Sequence, residues 1–173
     1  MFKEVIFGYI RENKIDKVKQ LIERGLNINL RDDEGNSLLN VASEYTDCVE
    51  LVKLLLDNGA NPNIKNRLGW CPLLGRSTCM IDIENNWSIS NKEIVNLLLD
   101  HGADVNIKND YGWSSIYLAS FHCNNRLVKL LLDRGADVNI KDEDGDTPLS
   151  CAFRHKNGEL IKLLLDYGAK LNI

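Results

Sequence analysis

Apolar residues recur along this chain in clusters that share one sequence and a nearly constant period. Each complete cluster has three consecutive leucines, then Asp, a variable residue, Gly and Ala. The four copies begin at Leu54, Leu97, Leu130 and Leu163, and a weaker copy begins at Leu21. Within a cluster, apolar side chains such as Val52, Leu55 and Leu56 stand three and four positions apart, which predicts one face of an α-helix. The pattern therefore indicates a series of similar helical units.

Two series of glycines fix the length of the unit. Successive glycines of the first series, from Gly25 to Gly168, are 34, 43, 33 and 33 residues apart. A second series, which begins at Gly35, follows the first four of these glycines by ten residues every time. The connector after each cluster thus has a constant length. The third unit carries ten additional residues before its leucines, within residues 74–93.

Residues at the boundaries predict two helices in each unit. Hydroxyl side chains that can accept a backbone N–H precede apolar runs at Ser37, Ser114 and Thr147. Pro72 and Pro148 suit the first helical position, where the missing N–H has no cost. The glycine after each cluster suits the left-handed residue that ends a helix. Asn-Ile pairs follow, and we expect them to form a turn at the tip of a finger. These pairs are Asn63-Ile64, Asn106-Ile107 and Asn139-Ile140.

Together these features closely resemble the ankyrin-repeat family. The resemblance rests on Gly-Asp-Thr-Pro-Leu at 145–149 with Ala152, and on Leu-Leu-Leu-Asp-x-Gly-Ala-Asp-Val-Asn at 97–106 and 130–139. It implies an all-α repeat solenoid of stacked antiparallel helix pairs with short β-hairpin fingers. We expect residues 1–173 to form a single solenoid domain. Its five repeats would be 1–31, a diverged N-terminal cap, then 32–65, 66–108 with the ten-residue insertion, 109–141 and 142–173.

The chain departs from the family pattern where Thr-Pro-Leu-His is expected. The four corresponding segments are 37–40, 71–74, 114–117 and 147–150, and none contains the histidine. We therefore expect an array less stable than one of consensus repeats. The third repeat should be the weakest, because Cys71 is a poor helix cap and because Arg76 stands where the family has a small alanine.

Composition disfavours several classes of function. A net charge of −4 and a pI of about 5.4 argue against nucleic acids and acidic membranes as partners. No apolar run reaches the ~18–20 residues of a membrane span, and the N-terminus lacks a signal-peptide layout. The five cysteines are odd in number and have no Cys-x-x-Cys spacing, so we expect reduced thiols. These features predict a cytoplasmic protein, in the host cytoplasm if the chain is viral or bacterial.

Candidate catalytic groups are sparse. His101 fills a position that varies between repeats, so the pattern predicts no special role for it. His122 and Cys123 are adjacent and could form a metal or nucleophile pair. A helix end followed by a loop is the favoured interpretation, because no second ligand pair lies at metal spacing. Neither a phosphate-binding loop nor a nucleophile elbow is present. We therefore expect no enzyme activity, no cofactor and no metal.

In the ankyrin-repeat family, partners usually contact the finger tips and the exposed face of the first helix. The corresponding positions predict the partner-binding residues Glu34, Tyr45, Arg67, Leu68, Trp70, Asp110, Tyr111, Trp113, Phe121, Glu143, Asp144 and Arg154. Trp70 and Trp113 directly follow their finger glycines, so stacked repeats would bring the two indoles side by side. An aromatic centre with a charged rim is typical of a protein interface. Alternatively, each Trp folds over the next finger and holds the stack together.

The sequence thus predicts a non-catalytic module that binds a protein partner, whose identity the residues do not reveal. We expect a monomer. The alternative is a structural protein that associates with itself through its C-terminal end, which lacks a polar cap. Sedimentation at several concentrations separates the two, because only self-association makes the mass depend on concentration.

Two further features leave alternatives open. Trp87, in the insertion of the third repeat, either packs its own loop against the helices or marks a second contact site. Asn106 and Asn139 each follow an acidic–aliphatic pair and have a leucine eight residues upstream. In this family that pattern is typical of asparagine hydroxylation. The favoured alternative is that both side chains close the hairpin turn.

Overall fold

The computed structural model describes residues 2–45, 48–78 and 88–171. In these residues ten α-helices follow one another, a first and a second helix for each of the five repeats. They are α1 Phe2–Arg11, α2 Ile15–Glu23, α3 Leu38–Ser43, α4 Val49–Asp57, α5 Pro72–Ser77, α6 Ile89–Asp100, α7 Ser115–Phe121, α8 Asn125–Asp133, α9 Pro148–Arg154 and α10 Gly158–Asp166. The β-structure of the described residues consists of two isolated antiparallel bridges, Arg31 with Ser37 and Lys108 with Ser114. The predicted all-α repeat architecture is confirmed.

The helices gather into two compact units. The first contains residues 1–76 and 89–104, and the second contains residues 77–88 and 105–173. In the first unit, α1 packs against α2 and α3, and α4 packs against α2, α3 and α6. In the second unit, α7 packs against α8 and α9, and α10 packs against the same two helices. Within each unit, first helices contact first helices and second helices contact second helices, as in stacked repeats. One solenoid over residues 1–173 stays a prediction.

The leucine clusters supply the core of both units. In α4 the side chains of Leu51, Val52 and Leu55 are fully buried. On the opposite face, Lys53 and Asp57 form a solvent-exposed ion pair. Equivalent positions of α6 and α8 are buried in the same way, while α10 buries Leu160 and Leu164 and leaves Ile161 partly exposed. Burial of each such side chain contributes ~1.5–3 kcal/mol. The helical periodicity read from the sequence therefore identifies the buried face correctly.

The predicted helix boundaries are also confirmed. Ser37, Ser114 and Thr147 each accept a hydrogen bond from the backbone N–H three residues later. Helices α5 and α9 begin at Pro72 and Pro148. The glycine after each second helix is left-handed, with φ between 84° and 87°. These glycines are Gly25, Gly59, Gly102, Gly135 and Gly168.

One carboxylate or amide side chain closes each finger. Its oxygen accepts hydrogen bonds from the N–H groups two and four residues later, at 2.8–3.1 Å. The four residues are Asp32, Asn66, Asn109 and Asp142. The Asn-Ile pairs, which were expected at the finger tips, lie instead at a separate turn that precedes each hairpin. The expectation that they form the finger tips is therefore wrong. The asparagines of this turn bond to the next repeat and not within their own finger.

The asparagines of the separate turn bind the next repeat. Asn63 accepts a hydrogen bond from the N–H of Asp104 at 2.8 Å and donates one to the carbonyl of Gly102 at 2.9 Å. Asn29, Asn106 and Asn139 make the same pair of bonds to the next repeat. The interpretation that Asn106 and Asn139 close their own hairpins is therefore wrong. The turn places both amides beside the helix end of the following repeat.

Asn40 takes the place of the family's histidine in the second repeat. Its side-chain oxygen lies within hydrogen-bonding distance of the Ser37 N–H and hydroxyl, and its amide donates to the carbonyl of Trp70 at 3.1 Å. A single buried side chain thus caps its own helix and ties the second repeat to the third. In the last repeat, Ser150 forms the corresponding capping box with Thr147.

The third repeat accommodates Arg76 inside α5. Its side chain is 1% exposed, and its guanidinium donates a hydrogen bond to the carbonyl of Ser43 at 2.8 Å. Cys71, at the cap position of α5, is buried as well. Most of the insertion, including Trp87, falls in residues 79–87, which lie outside the described residues. Whether the third repeat is the weakest stays a prediction.

The bonds of Asn40 lead to a stability prediction. Replacing Asn40 by Ala removes the capping interaction and the link to Trp70, both in a buried setting. The free energy of unfolding should therefore fall by about 1–3 kcal/mol in urea denaturation. Asn58→Ala is the matched control, because Asn58 donates only to Leu54 of its own helix at an exposed site. We expect the control to change stability by about 0.5 kcal/mol or less. Equal effects of the two substitutions would contradict the proposed link.

Two finger glycines separate backbone strain from crowding. Gly112 and Gly145 both have positive φ, at 75° and 83°. A Cβ on Gly112 would stand 2.7 Å from the backbone nitrogen of Glu143, whereas nothing lies within 4 Å of the same position on Gly145. Gly145→Ala should cost about 1–2 kcal/mol, the strain of the left-handed region. Gly112→Ala should cost clearly more in the same unfolding measurement. Similar costs would mean that the two fingers do not approach this closely in solution.

Candidate partner-binding site

The finger of the fourth repeat presents a pair of aromatic rings. The centroids of Tyr111 and Trp113 lie 5.0 Å apart with 30° between the planes. The indole of Trp113 also stacks on Tyr117 of α7, with centroids 6.4 Å apart. Asn109 accepts hydrogen bonds from the backbone N–H groups of both Tyr111 and Trp113, so the turn holds the rings in place. Tyr111 is 51% exposed and Trp113 is partly buried, which makes Tyr111 the more accessible ring.

Acidic side chains lie on this finger and on the next one of the second unit. Asp110, Glu143 and Asp144 are exposed on the fourth and fifth fingers. Arg154, near the end of α9, forms an ion pair with Asp146. The hydrogen bond that Arg154 donates within this pair holds the pKa of the Asp146 carboxyl below its ordinary value. The finger surface of the second unit therefore combines accessible aromatic area with negative charge.

A second aromatic group lies where the first helices of the fourth and fifth repeats end. Phe121 is 43% exposed, and its ring meets the rings of His122 and His155 edge-on, with centroids 5.4 Å and 5.5 Å apart. Phe153 is 48% exposed and was not among the predicted residues. A signal was available in the sequence, because the corresponding position of three other repeats holds serine. These are Ser43, Ser77 and Ser120.

The first unit carries the other predicted residues, on its fingers and, for Tyr45, directly after the end of α3. Leu68 is 58% exposed, and Glu34, Tyr45 and Arg67 are also exposed. The backbone N–H of Arg67 donates to the carbonyl of Glu34 at 3.0 Å, which joins the second finger to the third. Trp70 is partly buried, and its backbone N–H and carbonyl are both bonded to Asn66. Neighbouring fingers in this unit are thus held in a fixed relation.

A cavity of about 240 Å³ opens beside Trp70. It lies between the second and third repeats and was not predicted from the sequence. Its lining consists of Asn36, Asn40, Ser43, Glu44, Asn66, Trp70, Cys71, Pro72 and Gly75. Glu44 is accessible to solvent, and partial burial raises the pKa of its carboxyl above the ordinary value, while Arg11 opposes that effect. We call this cavity the Trp70 pocket.

The predicted residues divide between the two units. Five belong to the first unit, namely Glu34, Tyr45, Arg67, Leu68 and Trp70. The second unit holds Asp110, Tyr111, Trp113, Phe121, Glu143, Asp144 and Arg154. The side-by-side arrangement of the two indoles stays a prediction. Each unit by itself nevertheless brings finger residues of neighbouring repeats together.

His122 and Cys123 form the corner between α7 and α8. His122 is the C-cap residue of α7, and Cys123 has a left-handed φ of 55°. Asn13 and Lys156 have the same conformation at their own corners. The pair is therefore the helix end and loop that the sequence favoured. Across residues 2–45, 48–78 and 88–171, no three His, Cys, Asp or Glu side chains are grouped to hold a metal ion.

The cysteines and the lengths of the helices bear on two further sequence predictions. No disulfide joins the described cysteines, and Cys79 lies outside the described residues. They are Cys48, Cys71, Cys123 and Cys151. Among the described helices, none has both the length and the apolar composition to cross a bilayer.

Two family models match the chain, and both describe ankyrin repeats. A model of three copies matches residues 83–173, and a model of many copies matches residues 21–73. The two matches together contain all four complete leucine clusters and the weaker copy that begins at Leu21.

Two of three similar proteins are named as ankyrin repeat proteins. A fowlpox virus protein named as an ankyrin repeat protein, FPV222, is 34% identical over 68 residues, which is 39% of this chain and 9% of the relative. The ankyrin repeat protein L86 of Acanthamoeba polyphaga mimivirus is 36% identical over 66 residues, 34% of this chain and 12% of the relative. The regulatory protein SWI6 of Kluyveromyces lactis is 46% identical over 46 residues, 27% of this chain and 6% of the relative. The matched segment thus spans about a tenth of the length of these relatives.

Protonation of His122 should weaken the second unit. Burial and the neighbouring His155 lower the pKa of His122 below its ordinary value of 6.5. Because the unfolded chain then binds the proton more readily than the folded one, the free energy of unfolding falls as the pH drops below about 6.5. Urea denaturation at about pH 7.5 and about pH 5.5 should show a smaller loss for His122→Gln than for the wild type. Identical losses in both proteins would exclude His122 as the cause.

Proposed function

Because the chain belongs to the ankyrin-repeat family, whose repeats are generally protein–protein interaction modules, we propose that it binds a protein partner without catalysing a reaction. The binding surface is formed by the finger tips and by the exposed ends of the first helices. Nucleic acids and membranes are not the partners, since the net charge of −4 would repel their phosphates.

The observation that carries this proposal is the ring pair of Tyr111, which is 51% exposed, and Trp113, which is partly buried. Aromatic side chains that are held rigidly lose little conformational entropy when a partner covers them. Here the turn bonded to Asn109 fixes the backbone, and Tyr117 supports the indole from below. Tyr and Trp are also enriched among the residues that dominate binding energy. The pair therefore has the properties of an anchor.

The remaining site residues complete the proposed surface. Asp110, Glu143 and Asp144 give the anchor a charged rim, and Phe121 extends the apolar area along α7. Glu34, Tyr45, Arg67, Leu68 and Trp70 form the corresponding surface of the first unit. The reduced thiols and the two viral relatives support an action in the cytoplasm, which for a viral chain is that of the host.

Hydroxylation of Asn106 and Asn139 is a separate proposal. Both side chains already bond to the next repeat, so a hydroxyl on the Cβ would act on the stack and not on the partner surface. Mass spectrometry of the protein purified from its native cells would show whether either residue carries the additional oxygen.

Partner capture tests the proposed surface. Tyr111→Ala should weaken the complex about tenfold or more, because an exposed anchor ring is removed. The melting temperature should move by only about 2 °C or less, since Tyr111 adds little to the core. The partner is first identified by affinity purification from native cells, and binding is then measured with purified proteins. Trp70→Ala and Trp113→Ala, separately and combined, extend the test to both units.

Tyr167→Ala is the matched control. Tyr167 is also a partly exposed tyrosine of the second unit, but it caps α10 and bonds to Asp133 of α8 instead of lying on a finger. The control should bind the partner as the wild type does. A complex that survives all three finger substitutions, or is lost equally in the control, would refute a finger-based interface.

A further inference from the structure

The residues that line the Trp70 pocket indicate which kind of chemical group it can bind. Its volume of about 240 Å³ is below the ~300–1,000 Å³ of typical small-molecule sites, so it suits one side chain better than a metabolite. It is lined by the aromatic Trp70 on the third finger and by the carboxylate of Glu44 at the end of α3. All of its lining residues belong to the first unit.

The polar groups of the pocket differ in how far they are already satisfied. The amide of Asn66 donates to Asn36 at 2.8 Å, and the amide of Asn40 donates to the carbonyl of Trp70. The oxygen of Asn66 accepts two backbone N–H groups. These bonds make the wall rigid and leave it few acceptors. The carboxylate of Glu44, in contrast, forms no hydrogen bond or ion pair with any residue that the structure describes.

The electrostatic surroundings of Glu44 favour a cation. Asp32 and Glu34 lie close enough to act on Glu44 as like charges, and Arg11 is the one opposing charge that acts on it among the described residues. The oxygens of Asp32 are occupied by the second finger, and Glu34 accepts a hydrogen bond from Asn36. A positive group from outside would therefore meet a local excess of negative charge. Partial burial disfavours the charged form of the Glu44 carboxyl, and a bound cation would offset that cost.

A pocket lined by both a tryptophan and a glutamate distinguishes between cations. A guanidinium is planar, so it can lie against an aromatic ring and at the same time direct two N–H groups at a carboxylate. An ammonium is a compact and strongly hydrated charge that gains less from such a flat wall. The backbone N–H of Trp70 donates to Asn66, so the position of the residue that carries the indole is fixed before a ligand arrives.

We propose that the Trp70 pocket binds an arginine side chain of the protein partner, with the guanidinium against Trp70 and paired with Glu44. The inference deepens the proposed function, since it names the chemistry of the residue that enters the first unit. The partner segment that docks here is consequently basic at this point.

The pocket can be tested without the partner. The probe is N-acetyl-arginine methylamide, followed through the indole N–H signal of Trp70 in ¹H–¹⁵N NMR spectra of the full chain. The signal is assigned with Trp70→Phe. We expect a saturable shift with a dissociation constant near the millimolar range, which is typical of a single side chain. N-acetyl-citrulline methylamide, a neutral molecule of the same shape, should bind about tenfold more weakly or not at all.

Substitutions then assign the charge. Glu44→Gln keeps the size of the side chain and should weaken the arginine probe about tenfold. Glu50→Gln, the same change at an exposed position of α4 outside the pocket, should leave binding unchanged. The comparison of the two probes on the wild type holds even if Glu44→Gln disturbs the fold.

Several results would overturn the assignment. Equal shifts with arginine and citrulline would show that charge plays no part, and tighter binding of N-acetyl-lysine methylamide would assign the pocket to lysine instead. An unchanged affinity in a folded Glu44→Gln variant would exclude the carboxylate. Because no partner is used, these results are independent of the capture experiment. Loss of the finger interface and loss of the arginine pocket can therefore be told apart.

Discussion

The architecture depends on main-chain groups that each repeat cannot satisfy by itself. A chain that leaves a helix through a left-handed glycine presents a carbonyl and a later N–H that the helix does not pair, and unpaired groups of this kind are costly when covered. One asparagine of the preceding repeat bonds to both groups. These bridging residues are Asn29, Asn63, Asn106 and Asn139. Since both bonds end on backbone atoms, they set the spacing at which the leucine faces of neighbouring repeats pack.

Most of the fold could be predicted because its signals are local. Hydroxyl caps, closing glycines and the periodic leucines all act within a few residues, and the family resemblance added the order of the helices. Asn63 and Asn66 show where prediction from local sequence fails. Both are asparagines of one connector, yet Asn66 closes its own finger whereas Asn63 bonds to the following repeat. Their roles differ only because stacking brings a helix end to one of them, and a period in the sequence does not contain that information.

In the candidate site, too, the positions of the residues could be predicted from the sequence, whereas their surroundings could not. Trp70 and Trp113 occupy equivalent slots, as the glycine series predicts. Trp113 stacks on Tyr117, but the corresponding residue of the third repeat is Leu74, and Trp70 borders a cavity. Glu44 follows α3 directly in the sequence, but the partial burial that raises the pKa of its carboxyl arises only in the folded chain. Environments of this kind arise from combinations of side chains that only the folded chain assembles.

The closure of the fingers has a consequence for how such a protein changes over time. In all four fingers the structural bonds run from Asp32, Asn66, Asn109 or Asp142 to backbone N–H groups. The two tip positions that follow hold Asp-Glu, Arg-Leu, Asp-Tyr and Glu-Asp. Within the described fingers their side chains add one hydrogen bond, which Glu34 accepts from Asn36. Mutation can therefore rewrite the tips while the scaffold keeps its shape. A lineage that must follow an evolving target can do so one finger at a time.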